Sequence, residues 1–327
     1  MSINDSVRFT PQEKPVLILI LLTYFMILLD SSIVFTSVPV MKADLGLSAA
    51  EMSWVQDAYT LAFGGALLLG AQLGEVWGRT RVFLGGLIVF AVASLIVGAA
   101  STAHVLIAAR ALQGLGAAVV APTSLTLITA VFHDTVKRTR AITAYGTMAG
   151  LGSSGGMLIG GLITTFLSWR FGLWINVPIA VVVLVLAVRF LPALPSRPGR
   201  FDVLGAVLLT GSMFLITLAL VERSVLPGII GAIVLVMAVA WERKASAPIL
   251  PEHLWHHRVR GLTLIARLLF AASLFGMYFM TTQYFELTLG YSALTAGLSC
   301  SSIASRKVPP GLWSVPLSLV SGSGACS

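Results

Sequence analysis

Charge is scarce in this chain. Of 327 residues only 10% are Asp, Glu, Lys or Arg, against about 25% in soluble globular domains. Together with a hydrophobic fraction of 57% and a mean hydropathy of +0.93, this excludes a soluble domain and predicts a polytopic membrane protein. Cysteine is nearly absent: Cys300 and Cys326 both lie close to the C-terminus, which excludes a disulfide framework and a cysteine-based metal site. Metal ligands are otherwise thin. His253, His256 and His257 fall together in a basic stretch, where the adjacent pair His256–His257 is a weaker reading as a metal site than as part of a solvated linker. No nucleotide-binding loop or nucleophile constellation is present, so the chain reads as a non-enzyme without cofactor or metal. A formal net charge of +8 does not point to nucleic acid, because the basic residues occupy the short gaps between apolar runs.

Those runs are what the sequence has in abundance. A spanning helix needs about 20 largely apolar residues. Nine stretches qualify, at about 15–38, 52–74, 82–101, 104–131, 141–167, 171–191, 203–221, 225–241 and 262–286. The first is too long for a signal-peptide core and lacks a small-x-small cleavage site, so it reads as a spanning helix. With the N-terminus inside, fourteen Lys and Arg fall in cytoplasmic segments, among them Arg79, Arg81, Lys137, Arg138 and Arg140. Three, Lys42, Arg170 and Arg223, fall outside. That asymmetry predicts a cytoplasmic N-terminus.

Between Arg81 and Asp134 the one formal charge is Arg110, inside the fourth run, in the segment Arg110-Ala-Leu-Gln113-Gly114-Leu-Gly116. A cation at bilayer depth costs at least about 2.5–3.5 kcal/mol and as a rule faces a water-filled path or a partner. The glycines admit a neighbouring backbone, and Pro122 further along predicts a bend. In the first run, Asp30 is a lone carboxylate among apolar residues, followed by Ser31 and Ser32. Burial favours its protonated form, which makes it a candidate for proton coupling; the competing reading is an Asp satisfied by Ser31 or Ser32 near the membrane surface. The segment Gly70-Ala-Gln-Leu-Gly74-Glu75-Val-Trp-Gly78-Arg79-Thr-Arg81 reads either as a salt-bridged latch closing the second helix or as a tight turn carrying positive-inside charge. In the fifth run Gly152, Gly156 and Gly160 recur every four residues, with Gly161 beside them, and line one helix face. That face predicts close packing, with the sharper expectation that two bundles rock against each other there. Ser168-Trp169-Arg170 and Asn176-Val177-Pro178 follow.

Taken in order and spacing over about residues 15–298, these motifs resemble the major facilitator superfamily, and within it the fourteen-helix drug:proton antiporters. Leu29-Asp30 through Pro39, Gly70 to Arg81, Arg110 to Gly116, Gly152 to Gly161, Ser168 to Pro178 and Tyr284 to Leu298 each resemble a family motif. The chain departs from the pattern at Phe35, where the family usually has Asn, at Glu75 for Asp, at Met157 for Pro and at Glu286 for Gln. The resemblance implies an all-α fold. A cytoplasmic tail (1–14) would precede a six-helix N-terminal bundle (15–191), then two inserted linker helices with a cytoplasmic linker (192–261) and the first helix of a C-terminal bundle (262–298). Residues 299–327, rich in Ser, Gly and Pro, read as a disordered or frameshifted tail.

The activity implied is proton-coupled efflux of small amphipathic compounds across the cell membrane by alternating access. Asp30 and Arg110 would be the coupling pair, Gln113, Gly114, Gly116 and Pro122 substrate or motif positions, and the proton gradient the energy source. The partners expected are the lipid bilayer and the amphipathic substrate, with no nucleic acid and no obligate protein. The alternative is a truncated, transport-incompetent fragment of such a transporter.

Overall fold

A computed structural model describes residues 9–192, 202–245 and 258–288. The three histidines, both cysteines and everything from residue 289 onward lie outside the described residues. The described chain is helical throughout, with no strand. Its elements are α1 (Glu13–Leu45), α2 (Ala49–Trp77), α3 (Arg79–Ala99), α4 (Ala103–Val131), α5 (Thr135–Phe166), α6 (Trp169–Trp174), α7 (Asn176–Phe190), α8 (Val203–Val221), α9 (Val225–Glu242) and α10 (Arg258–Gln283), the last running into a π-helical turn at Tyr284–Thr288. Among the described residues six segments are long and apolar enough to cross a membrane: α1, α3, α4, the α6–α7 unit, α8 and α9. The long helices α2 and α5 pack into the same bundle.

Helix α1 runs seven residues past its expected end at 38. Pro39 lies inside it and removes only one backbone donor, while Val38 and Met41 are fully buried and hold the turn in place. Gly46 ends the helix with φ 66°, its N–H returning to the Lys42 carbonyl, a left-handed cap that suits glycine. Ser48 then starts α2 with a capping box, its hydroxyl accepting from the Glu51 N–H and its N–H donating to the Glu51 carboxylate. The expected sixth span is one helical stretch, Trp169–Phe190, in which α6 passes into α7 at Ile175; that residue keeps helical backbone angles (φ −58°, ψ −25°) and its N–H donates to the Phe171 carbonyl at 3.0 Å. Pro178 supplies no N–H to the turn before it.

The packing has the form of two interleaved triplets, α1–α2–α3 and α4–α5 with the α6–α7 unit. The second helix of each packs on the first helix of the other, α2 on α4 and α5 on α1, and α3 meets α6 and α7. Outward-facing side chains are apolar, for example Ile88 and Val92 on α3 and Val181, Val185 and Val188 on α7, which suits a lipid surround. The chain is therefore a multi-pass membrane protein. Helices α8 and α9 form a hairpin, its ends joined where Trp241 Nε1 donates to Asp202 at 2.9 Å. The hairpin rests on α2, where Trp54 meets Phe214 with ring centroids 5.4 Å apart and Gly65 makes room for Thr210.

Candidate functional site: a buried polar layer

The bundle interior contains two apolar clusters with a polar layer between them. One cluster holds Leu19, Ile20, Met26 and Ile27 of α1 with Phe83, Leu87 and Phe90 of α3, Ala117 and Val120 of α4, and Ala180 and Val183 of α7. The other holds Val34, Val38 and Met41 of α1 with Val97 of α3, Leu106 and Ala109 of α4, and Trp169 and Leu173 of α6. On every one of these spans a polar residue falls at the junction: Asp30 on α1, Ser94 on α3, Arg110 and Gln113 on α4, and Asn176 at the start of α7. All five are fully buried.

They form one connected network. Arg110 Nη1 donates to Asp30 Oδ2 at 2.7 Å and to Gln113 Oε1 at 2.7 Å. Gln113 Nε2 donates to Asp30 Oδ1 and to Ser94 Oγ, both at 2.8 Å. Asn176 Nδ2 donates to the same Asp30 Oδ1 at 2.7 Å. Arg110 Nε reaches the Val55 carbonyl of α2 at 3.1 Å, using the second lone pair of a helical carbonyl, and the guanidinium lies 4.2 Å from the Tyr59 ring centroid, a cation–π contact. The i, i+3 spacing of Arg110 and Gln113 places both on one face of α4, so one helix supplies a charge and an amide to one carboxylate. Apolar packing above and below keeps this layer in a low dielectric, which strengthens each bond and makes the loss of any partner expensive.

Asp30 is thus held by residues from two other helices. Its neighbours Ser31 and Ser32 instead turn their hydroxyls back onto their own helix, donating to the Ile27 carbonyl at 3.3 Å and the Leu28 carbonyl at 2.9 Å. The reading of an Asp satisfied by Ser31 or Ser32 near the membrane surface does not hold: Asp30 is fully buried in the middle of α1 and its partners are Arg110, Gln113 and Asn176. Sequence reasoning quoted Asn176 only as part of a motif and passed over Ser94 and Tyr59. The signal that could have found Asn176 is the one that marked Arg110, a strongly polar side chain inside an apolar span.

The remaining motif positions serve packing and turns. Gly114 lies against the Tyr59 carbonyl of α2, and a Cβ at Gly116 would come within 2.7 Å of the Phe90 nitrogen on α3. Pro122 sits within a continuous α4; lacking an N–H, it frees the Ala118 carbonyl, which abuts Gly70 of α2 so closely that no side chain fits there. Gly74 is buried against Thr123 of α4, with 3.0 Å left for a Cβ. Gly78, with φ 96°, joins α2 directly to α3. Glu75 and Arg79 pair across that joint at 2.5 Å, Arg81 is exposed, and Thr80 donates to the Pro192 carbonyl at 2.8 Å. The glycine face of α5 is spent inside the bundle: Cβ atoms at Gly152, Gly156 and Gly160 would come within 2.8 Å of Leu28, 2.7 Å of Ser32 and 3.0 Å of the Ile33 Cα on α1, and Gly161 is buried beside them. The glycine face thus packs on α1, within the same bundle.

Helix α1 is pinned at both ends as well. Glu13 pairs with Lys137 of α5 at 2.9 Å. Asp44 pairs with Arg170 at 2.5 Å and accepts from Trp169 Nε1 at 3.0 Å, while Arg170 also donates to the Ala100 carbonyl at 3.2 Å.

Residues 20–308 match the Major Facilitator Superfamily. The chain is 40% identical over 320 residues to the cephamycin export protein CmcT of Amycolatopsis lactamdurans, covering 94% of this chain and 66% of that protein. It is 37% identical over 293 residues to the puromycin resistance protein pur8 of Streptomyces alboniger, covering 86% and 58%. The chain therefore spans somewhat less than two thirds of the length of the curated relatives it matches. In fold it resembles the human organic anion transporter MFSD10 (TETRAN), with a TM-score of 0.58 at 16% identity over 90% of this chain and 70% of that one.

Proposed function

Because the chain belongs to the major facilitator superfamily, a family of transporters, we propose that it exports small amphipathic compounds, antibiotics among them, in exchange for protons. The observation that carries this reading is the fully buried Asp30–Arg110 pair at 2.7 Å. An ionised carboxylate held by a guanidinium in an apolar interior is stable only while the pair is intact. A proton arriving at Asp30 neutralises it and weakens the hold on Arg110, and that change is the event available to drive a rearrangement of the helices. The two relatives above are a cephamycin export protein and a puromycin resistance protein, which supports this reading. Rocking of one bundle against another about a midplane site is the transport mode such folds support. The excess of Lys and Arg in alternate loops supports a cytoplasmic N-terminus in the cell membrane.

The test is drug-dependent proton movement in proteoliposomes with an imposed pH gradient, on this chain and on a full-length relative in parallel. Asp30→Asn and Arg110→Ala each abolish gradient-driven uptake of a cationic amphipathic probe at equal protein content. Wild-type rates in either variant sink the assignment. Labelling of single cysteines placed in the 42–47 and 132–135 turns, from outside intact cells, checks the orientation: the first is reached and the second is not.

A further inference from the structure

Three donors converge on the Asp30 carboxylate, and one of them differs from the others. Arg110 can only donate. Gln113 is locked in one orientation, because its Oε1 accepts from Arg110 while its Nε2 donates to both Asp30 and Ser94; turning the amide over would set donor against donor at Arg110 and acceptor against acceptor at Asp30. Asn176 has a single bond, Nδ2 to Asp30 Oδ1 at 2.7 Å. Its own Oδ1 is buried with no partner among the described residues, although an unpaired buried carbonyl of this kind is costly.

We propose that Asn176 is a positioning residue for the Asp30 carboxylate in both of its protonation states, and that it ties the start of α7 to proton binding on α1. With Asp30 ionised, the Asn176 amide donates to it. With Asp30 protonated on Oδ1, that oxygen becomes a donor, and a half-turn of the Asn176 amide presents its unused Oδ1 as the acceptor. No other bond is broken by that turn, since the Asn176 side chain makes none besides this one among the described residues. The residue stands two positions before Pro178, so the side chain that changes its bond is attached to the turn of the sixth span that lacks one backbone donor. The titratable and charged groups that face Asp30 among the described residues are Arg110 from α4 and Tyr59 from α2. Helices α3 and α7 bring the neutral Ser94 and Asn176 to the layer, and α5 meets this stretch of α1 with Gly152 and Gly156.

The inference rests on Asp30 as the proton acceptor, and the experiment separates the two. The reconstituted chain is titrated by infrared difference spectroscopy, and the Asp30 carboxyl band is identified by its loss in Asp30→Asn. A hydrogen bond to a charged acceptor is roughly twice as strong as a neutral one, so Asn176→Leu, which is close in shape but cannot donate or accept, raises the midpoint of that band. The expected rise is about half to one pH unit, a three- to tenfold change in proton affinity. Asn176→Asp, which places a second carboxyl beside the first, raises it further. In Asn176→Leu the carbonyl stretch of protonated Asp30 also moves, because its O–H has lost its acceptor. A residue that only filled space would lower the amount of folded protein and leave the midpoint where it is, and an unmoved midpoint in Asn176→Leu overturns the inference. Should that variant not accumulate, Asn176→Ser, too short to span the bond, is judged by the same criterion. A moved midpoint in a chain without proton-driven transport would sink the proposed function and leave this inference standing. Loss of transport in Asp30→Asn with an unmoved midpoint in Asn176→Leu does the reverse. Absence of any band lost in Asp30→Asn overturns both.

Discussion

Arg110 and Asp30 lie 80 residues apart in the chain and 2.7 Å apart in the fold, with no solvent exposure on either side chain. Each accounts for the presence of the other, since neither charge is tolerable alone at that depth. Removing one partner of a buried pair costs about 3–5 kcal/mol, whereas replacing both by neutral groups is often far milder. Arg110→Gln and Asp30→Asn, each alone, are therefore expected to lower the thermal midpoint of the detergent-purified protein more than their combination does. A double-mutant cycle on those midpoints measures the coupling; additive effects would mean that the two side chains do not share a bond.

The α1–α5 seam makes a contrast within one helix. A side chain at Gly156 would enter the Ser32 Cβ and the Leu29 backbone of α1, whereas Gly150 has nothing within 4 Å. Overpacking a tight interior costs about 1–3 kcal/mol or more, and a helical Gly→Ala at an open site gains up to about 1 kcal/mol in propensity. Gly156→Leu should reduce membrane accumulation and melting temperature sharply, and Gly150→Ala should leave both unchanged or slightly raised.

Gly78 joins α2 to α3 at φ 96°, a conformation that L-residues adopt only under strain of about 1–3 kcal/mol. Gly78→Ala is expected to lower the melting temperature, while Gly85→Ala, at a helical position with nothing within 4 Å of the added Cβ, changes it little. Equal effects at the two positions would argue against a backbone origin.

The Glu13–Lys137 pair, partly buried and at 2.9 Å, fastens the start of α1 to the start of α5. Lys137→Glu should destabilise by up to about 1 kcal/mol, and reversing both charges should restore most of it. The effect should shrink as salt is raised from low to near-molar concentration, measured by thermal unfolding across a salt series.

Much of this was legible without coordinates. The apolar runs locate every described helix, because a chain that must satisfy its backbone in lipid has few options besides helices. Polarity inside those runs singled out Asp30, Arg110 and Gln113 by the same physics, since a buried polar group must have a purpose or a partner. The limits of the helices were harder. The first apolar run ends at about 38, but Pro39 and the residues after it stay helical and α1 continues to Leu45. The four-residue spacing of the α5 glycines marks one face of a helix, but spacing along one helix carries no information about which helix faces it; the fold sets that face against α1.

Sequence alone determined that this protein lives in a membrane, that it is helical, and which side chains are too polar for their surroundings. These are properties of single residues and their near neighbours, set by transfer free energy and helical period. Only the tertiary structure decided the pairings: that α5 spends its glycines on α1, that Asp30 answers Arg110 and not the adjacent serines, and that Asn176 completes the carboxylate's shell with one acceptor to spare. Those depend on which helices stand side by side, and contacts between residues 80 to 146 positions apart are a property of the packed bundle and of no segment within it.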